Sequence, residues 1–287
     1  MRSVVITGVS TGIGFAAAEM LVRRGFRVFG SVRNAGDEER VRTRLGPQFS
    51  PLRFDVTDEG AVRTAAGRVR DELRGEPLFA LINNAGICVV GPLAHVPLAR
   101  FREQLEVNLV GVCSVTQAFL PLMLPPENND RNNRGCRPRP CVVNVGSIAG
   151  KVAAPFAGPY AASKFGLEGF SDSLRRELML FGIDVVLLQP GPVITPIWDK
   201  AEARVLDDYP GTPYERSLEK FRSVSMSEAK DGFAARVVAE EIYRLLERRH
   251  RRARYAIVPN RLINWTFPRC LPDKALDFCI GKFFGLI

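Results

Sequence analysis

Short runs rich in Val, Ile and Leu alternate with longer segments of helical period through most of the chain, and this alternation restricts the fold more than any other feature. SVVITG is followed by GFAAAEMLVRRG and then FRVFGSV; LRFDVTD leads into a helical stretch ending near Leu73; FALINNAG leads into one from about Leu98 to Leu124. CVVNVGS precedes a helix from about Tyr160 to Phe181, and IDVVLLQPG follows, with a strand ending near Leu188. Apolar strands joined by helices pair in parallel through right-handed crossovers, which place helices on both faces of the sheet. The expected fold is α/β, a doubly wound parallel sheet, and 287 residues are compatible with one large domain.

Two segments break the rhythm. PPENNDRNNRGCRPRP, 125–140, is polar and rich in Pro and Asn, which predicts an exposed insertion between a helix and a strand. The stretch 196–229 mixes Pro, Gly, aromatic and charged residues beyond a strand end. Ligands of open α/β sheets sit outside the carboxyl ends of strands, so this stretch is a candidate substrate lid; a plain surface excursion is the alternative.

The chain is 46% hydrophobic and 25% charged, as expected of a folded globular protein. Its six cysteines, Cys88, Cys113, Cys136, Cys141, Cys270 and Cys279, show no metal-ligand spacing, and only two histidines accompany them, so no metal site is expected. They read as free thiols in a reducing compartment. MRSVVITG enters a strand at once without an apolar leader, and no uninterrupted apolar run is long enough to span a bilayer. A cytoplasmic protein is the expectation. The net charge of +9 is scattered except for RRHRRAR at 248–254, which lacks interleaved aromatics and reads as a solvated helix end, not a nucleic-acid site.

TGVSTGIG, Thr7 to Gly14, follows the first strand and opens the first helix. Gly8, Gly12 and Gly14 let the backbone turn sharply and approach a pyrophosphate, whose charge is favoured by the amides of a helix start. Ser10, Thr11 and Ile13 lie in the same turn. The spacing is G-x-x-x-G-x-G, and glycines also serve plain turns and close helix packing; the strand-turn-helix context raises the signal. After the second strand, where NAD enzymes carry an acid for the ribose hydroxyls, this chain has Ser31 and then Arg33, with Asp37 beyond a turn. Arginine pairs with a 2′-phosphate that an acid would repel, so NADP(H) is expected over NAD(H); an ordinary surface arginine would look the same.

GPYAASKFG places Tyr160 and Lys164 four residues apart, on one face of a helix. A nearby ammonium and an oxidised nicotinamide would favour the phenolate and bring its pKa down from about 10 towards working pH. Alone, this spacing is common in structural helices. Its companions are TGVSTGIG, NNAG at 83–86, Asn108 in EVNLVG, Ser147 in NVGSIAG, and PGPVIT at 190–195. In this order and spacing, from Ser3 to about Thr195, they resemble the short-chain dehydrogenase/reductase family. FGSVRN and PYAASKFGLEGFSDSLRRELMLFGIDVVLLQPG look most like its 17β-hydroxysteroid and retinol dehydrogenase branch.

The resemblance implies a Rossmann-type domain in which Tyr160 is the general acid/base and Ser147 holds the substrate oxygen. Lys164 would bind the nicotinamide ribose and lower the Tyr160 pKa, while Asn108 would keep a water that extends the proton relay. Asp55 and Val56 would lie by the adenine, Asn84, Ala85 and Gly86 would line the cofactor, and Pro190, Gly191, Val193 and Thr195 would surround the carboxamide. Ser10 and Arg33 would receive the 2′-phosphate. A homodimer or tetramer through the helices near 98–124 and 160–181 is likewise implied.

GICVVGPL, VAAPFAGPY, Ile197, Trp198, Tyr209, Tyr214 and Phe221 give the expected site apolar surroundings, suited to a lipophilic ketone, aldehyde or alcohol such as a steroid or retinoid. The same residues would also serve to pack a lid. The C-terminal extension, 270–287, carries Leu276, Phe278, Ile280, Phe283 and Phe284 at amphipathic spacing. It is compatible with a membrane surface, with the substrate cleft, or with a partner subunit. The expectation is an NADP(H)-preferring oxidoreductase of lipophilic alcohols and carbonyls. A 3-ketoacyl-type reductase and a nonenzymatic NADP(H)-binding sensor are the alternatives.

Overall fold

A computed structural model describes residues 1–124, 138–197 and 209–287. Most of the 125–140 insertion, Cys136, Trp198 and part of the expected lid lie outside the described residues. The strands are β1 Ser3–Ile6, β2 Arg27–Val32, β3 Phe49–Arg53, β4 Ala80–Asn83, β5 Cys141–Val145, β6 Asp184–Pro190, β7 Val193–Ile194, β8 Phe233–Ala234 and β9 Arg254–Ile257. Seven form one sheet in the order β3-β2-β1-β4-β5-β6-β9, every pair parallel, and β7 pairs with β8 beside it.

The helices are α1 Gly12–Arg23, α2 Ala35–Leu45, α3 Glu59–Leu73, α4 Leu98–Leu105, α5 Gly111–Phe119, α6 Gly158–Glu177, α7 Glu215–Lys230, α8 Ala235–Glu247, α9 Phe267–Cys270 and α10 Asp273–Phe284. A π-helical turn, Glu106–Val110, joins α4 to α5.

Burial of the sheet on both faces explains why its strands lack polar alternation. Along β1, Val4 and Ile6 enter a core with α1 and α8, whereas Val5 points into a second core with α3 and α5. Cys141 and Val143 of β5 join the first, Val142 the second. Val238, Ala239, Ile242, Leu245 and Leu246 form the buried stripe of α8 that packs on α1, whose Ala17 and Ala18 allow close approach.

Strand order reverses between β1 and β4, which are neighbours although β2 and β3 intervene in the chain. Loops leaving the two strands diverge there and open a crevice at their carboxyl ends. Both TGVSTGIG and NNAG emerge at that crevice.

Two sequence expectations need correction. Strand β6 runs on to Pro190, past the expected end near Leu188. RRHRRAR is not a solvated helix end throughout: the Arg251 side chain is buried, pairs with Asp184 at 2.8 Å, and donates to the carbonyls of Leu245 and Leu246. A guanidinium there answers carbonyls that a helix terminus leaves unpaired. Leu98–Met123 is long and apolar enough to cross a bilayer by length and composition, although Arg100, Arg102, Glu103 and Glu106 interrupt its apolar run. Its Val112, Val115, Phe119 and Met123 are buried in the domain, because interior helices need the same composition.

Candidate active site

The crevice is stitched by Thr7, which closes β1. Its hydroxyl accepts from the amides of Asn84 at 2.9 Å and Ala85 at 3.0 Å, and Asn84 Nδ2 returns bonds to the carbonyls of Thr7 and Gly8. Gly8 has φ +72°, and a Cβ there would meet Ala85 at 3.0 Å. A Cβ on Gly14 would lie 2.2 Å from the Gly8 carbonyl oxygen. Only a bare backbone fits both positions.

Helix α1 starts at this cradle with neither a side-chain cap at Thr11 nor an acid in its first turn, whereas α2 and α3 are capped by Asn34 and Asp58. Its first amides therefore keep their capacity for an anion, which fits a dinucleotide pyrophosphate. Ile13 rests against the sheet core, so its contribution to the cradle is backbone. Thr195 closes the other side: a Cβ on Gly12 would meet its methyl at 3.1 Å. Pro190 and Gly191 lead there from β6, Gly191 N donating to Ile257 O at 2.9 Å, and Val193 is buried in the core.

At the outer edge of the crevice, Ser31 is buried and its hydroxyl accepts from Gly8 N at 2.9 Å. It braces the glycine turn. Arg33 is two-thirds exposed, its Nη1 3.8 Å from Asp55. Val56 is buried beside Gly111. Arg40, which the sequence reading missed, reaches from α2 to donate to the Ser10 carbonyl at 2.9 Å and pairs with Asp37. Two guanidinium groups thus flank the end of the crevice where an adenosine ribose would extend. One turn of α2 separates Arg40 from Asp37, and that was the available sequence signal.

On the other side of the switch point, α6 carries Tyr160 and Lys164, and Ser147 ends the β5 loop. Ser147 accepts from Ala149 N at 3.1 Å, capping a short turn, and its hydroxyl lies near enough to the Tyr160 phenol to oppose a rise in its pKa. Lys164 is buried, donates to Val145 O at 2.8 Å, and has Nζ 5.7 Å from the centre of the Tyr160 ring. Burial pulls the ammonium down to about 8. Burial also pushes the phenol up, with Cys88 adding to the rise and Ser147 opposing it. Desolvation thus governs the phenol in the folded chain, and the anticipated lowering by Lys164 is not among the influences on it.

Cys88, two residues after NNAG, is the other unanticipated member of this group. Its thiol is pushed up to about 12 by burial, partly offset by Lys164, and is therefore neutral. Asn108 lies in the π turn, where its Oδ1 accepts from Ile87 N and its Nδ2 donates to Ile87 O and Ser163 Oγ. Gln104, one turn earlier, holds Val89 N and Ile87 O in the same way. The Asn108 amide therefore clamps the loop after NNAG, with Gly86 close beside it.

Just before α6 the chain enters an aromatic cluster. Phe156 stacks edge-on with Tyr214 and Phe221, and Phe221 meets Phe284 of α10 at 5.8 Å between ring centres. Tyr209, Val90 and Ile280 join the cluster. The anticipated lid residues Tyr209, Tyr214 and Phe221 are brought together with the tail; Ile197 is half-buried at the edge of the described residues.

A two-sided parallel sheet with a bare-backbone cradle at its switch point and a serine–tyrosine–lysine group opposite defines a dinucleotide-dependent oxidoreductase. A family model of the short chain dehydrogenases matches residues 2–205. The chain is 34% identical over 277 residues to the NADPH-dependent 3-dehydrocapnine reductase of Ornithobacterium rhinotracheale, covering 96% of this chain and 95% of that protein. It is 35% identical over 243 residues to human retinol dehydrogenase 16, covering 83% and 68%. A short-chain dehydrogenase/reductase from Burkholderia phymatum in complex with NAD superposes with TM-score 0.76 at 25% identity, over 91% of this chain and 90% of that one. One from Burkholderia cenocepacia J2315 in complex with NADP gives 0.72 at 23%, over 98% and 99%. The chain belongs to the short-chain dehydrogenase/reductase family, in its retinol and hydroxysteroid dehydrogenase-like branch. It is an oxidoreductase acting on CH–OH and C=O groups.

Proposed function

We propose that the protein is an NADP(H)-preferring enzyme that interconverts a lipophilic alcohol and its ketone or aldehyde, steroid- or retinoid-like in bulk, with Tyr160 as general acid/base. The observation that carries this reading is the placing of buried Lys164, held by Val145 O, with its Nζ 5.7 Å from the centre of the Tyr160 ring and Ser147 beside the phenol. The bound nicotinamide supplies the hydride chemistry. Ser147 then orients the substrate oxygen, Tyr160 gives or takes its proton, and Lys164 favours negative charge on either oxygen in a water-poor pocket.

The Asn108 amide is occupied by protein partners, so the backbone of the π turn is the part assigned to a relay water. Interrupted helices of this kind recur at functional sites. Arg33, Arg40 and Ser10 support NADP(H), as does the NADPH dependence of the Ornithobacterium reductase. Substrate bulk is argued from the Phe156–Phe221–Phe284 cluster, with 196–229 as lid and 270–287 roofing it. Exposed Val110 and Phe165 on the long helices support a homodimer or tetramer. A cytoplasmic location completes the reading.

The test is NADPH oxidation by purified protein with steroid ketones, retinal, small carbonyls and 3-ketoacyl thioesters, run beside Tyr160→Phe and Ser147→Ala. Turnover with a bulky carbonyl, lost in both variants, supports the reading. Turnover only with thioesters favours the ketoacyl alternative, and NADPH binding without any turnover favours the sensor.

A further inference from the structure

Glu168 follows Lys164 by one turn and Tyr160 by two, on the same stripe of α6. Its carboxylate is buried, and burying a charge is unfavourable unless it is paired and hydrogen-bonded. Oε1 accepts from Gln189 Nε2 at 2.5 Å; Oε2 takes Lys151 Nζ at 2.9 Å and Arg254 Nε at 2.7 Å. Arg254 continues to Asp172 at 2.9 Å. The three partners come from three separate segments.

Two of those segments carry pieces of the site. Lys151 closes the turn that begins with Ser147, its amide bonded to Ile148 O at 2.9 Å. That turn lies flat on α6: a Cβ on Gly150 would be 2.9 Å from the Lys164 carbonyl oxygen and 3.3 Å from Glu168 Cγ. Gln189 immediately precedes Pro190 and Gly191, where the chain leaves β6 towards Thr195 and the glycine cradle. Arg254 instead anchors the edge strand β9, whose link to the site is the carbonyl of Ile257, three residues on, accepting from Gly191 N.

We infer that Glu168 is a positioning residue, clamping the Ser147 turn through Lys151 and the cofactor-side strand end through Gln189 onto the helix that carries Tyr160 and Lys164. The inference rests on the roles proposed above for Ser147 and Tyr160. A hydroxyl that must meet both a phenol and a substrate oxygen tolerates little displacement, and misplacement of about 1 Å can cost about 100-fold in rate. The Lys151 and Gln189 arms bear on catalysis, and the Arg254 arm bears on the sheet edge.

The experiment compares Lys151→Met, Lys151→Arg, Glu168→Gln, Arg254→Met and the Lys151→Met/Glu168→Gln double variant in the full chain. Turnover is expressed per NADPH-binding site by fluorescence titration, with thermal melting followed in parallel. Lys151→Met, at the partly exposed end of the pair, is expected to fold and to lose between about 10- and 100-fold in kcat with NADPH affinity little changed. Lys151→Arg should recover most of the loss, the double variant should be no worse than the worse single, and Arg254→Met should lower the melting temperature while sparing kcat per site. Unchanged kcat per site in Lys151→Met, or losses that multiply in the double variant, would overturn the inference. Ser147→Ala separates the two levels: full turnover there removes the underlying roles, whereas lost turnover there beside an active Lys151→Met removes only the clamp.

Discussion

Lys164 faces the Tyr160 ring from one turn along α6, its Nζ 5.7 Å from the ring centre and 2.8 Å from Val145 O. The carbonyl fixes the ammonium in a place that would otherwise exclude it, so charge is stored beside the phenol before any substrate arrives. Tyr160→Phe keeps the ring and removes only the proton donor. It is expected to lower kcat by between about 100- and 10,000-fold while leaving NADPH affinity, measured by fluorescence titration, nearly unchanged. Wild-type turnover in this variant would take Tyr160 out of the mechanism.

Arg33 stands at the open end of the crevice with Asp55 as a distant partner. Replacing it by Asp puts a negative charge where the 2′-phosphate is expected, so the ratio of kcat/KM for NADPH over NADH should fall by about 100-fold or more, using roughly 1.4 kcal/mol per factor of ten. Arg40→Gln should lower the ratio less, because that guanidinium already holds the Ser10 carbonyl and Asp37. A ratio that does not move in Arg33→Asp would show that another group reads the phosphate.

Burial depresses Lys164 from 10.5 to about 8. Below the folded value both folded and unfolded chains hold the proton, and the folded chain bears the unfavourable charge. Between about 8 and 10.5 the unfolded chain binds more protons, so this group makes unfolding free energy rise with pH, by at most about 1.4 kcal/mol per unit. Its stabilising contribution is full above 10.5 and lost as pH falls through about 8. Urea titrations at fixed ionic strength should show Lys164→Met losing stability relative to wild type across that window; parallel curves would mean the ammonium is better solvated than its burial indicates.

Phe156 is a non-glycine residue in the left-handed region, φ +65°, with a buried ring. Such backbone costs about 1–3 kcal/mol and persists where packing over-determines it. Phe156→Ala should lose about 3–5 kcal/mol of stability, and Phe156→Gly about 1 kcal/mol less because glycine relaxes the backbone. Chemical denaturation ranks the two. Equal losses would locate the whole effect in the aromatic packing.

Strand and helix periodicity made the doubly wound sheet legible, because a sheet buried on both faces writes its strands as unbroken apolar runs. The site motifs were legible for a related reason: Gly8, Gly14 and the Tyr160–Lys164 pair answer local requirements of turn and helix. What escaped depends on contacts remote in sequence. Arg251 and Arg254 looked like a solvent-facing charge run, yet they meet Asp184 and Glu168 on other elements. Cys88 and Arg40 join the crevice only through tertiary placement, and the engagement of the Asn108 amide follows from a π turn that periodicity does not announce.

Strand β6 pairs with β5 on one side and with β9 on the other, although α7 and α8 intervene in the chain before Arg254–Ile257. During synthesis the catalytic segments are therefore complete while Asp184–Pro190 still presents a bare sheet margin with Val185, Val186, Leu187 and Leu188 in a row, the kind of surface that recruits foreign strands. The closing strand is thus also a guard against misassembly, and Arg254, held by two acids, is the latch that seats it.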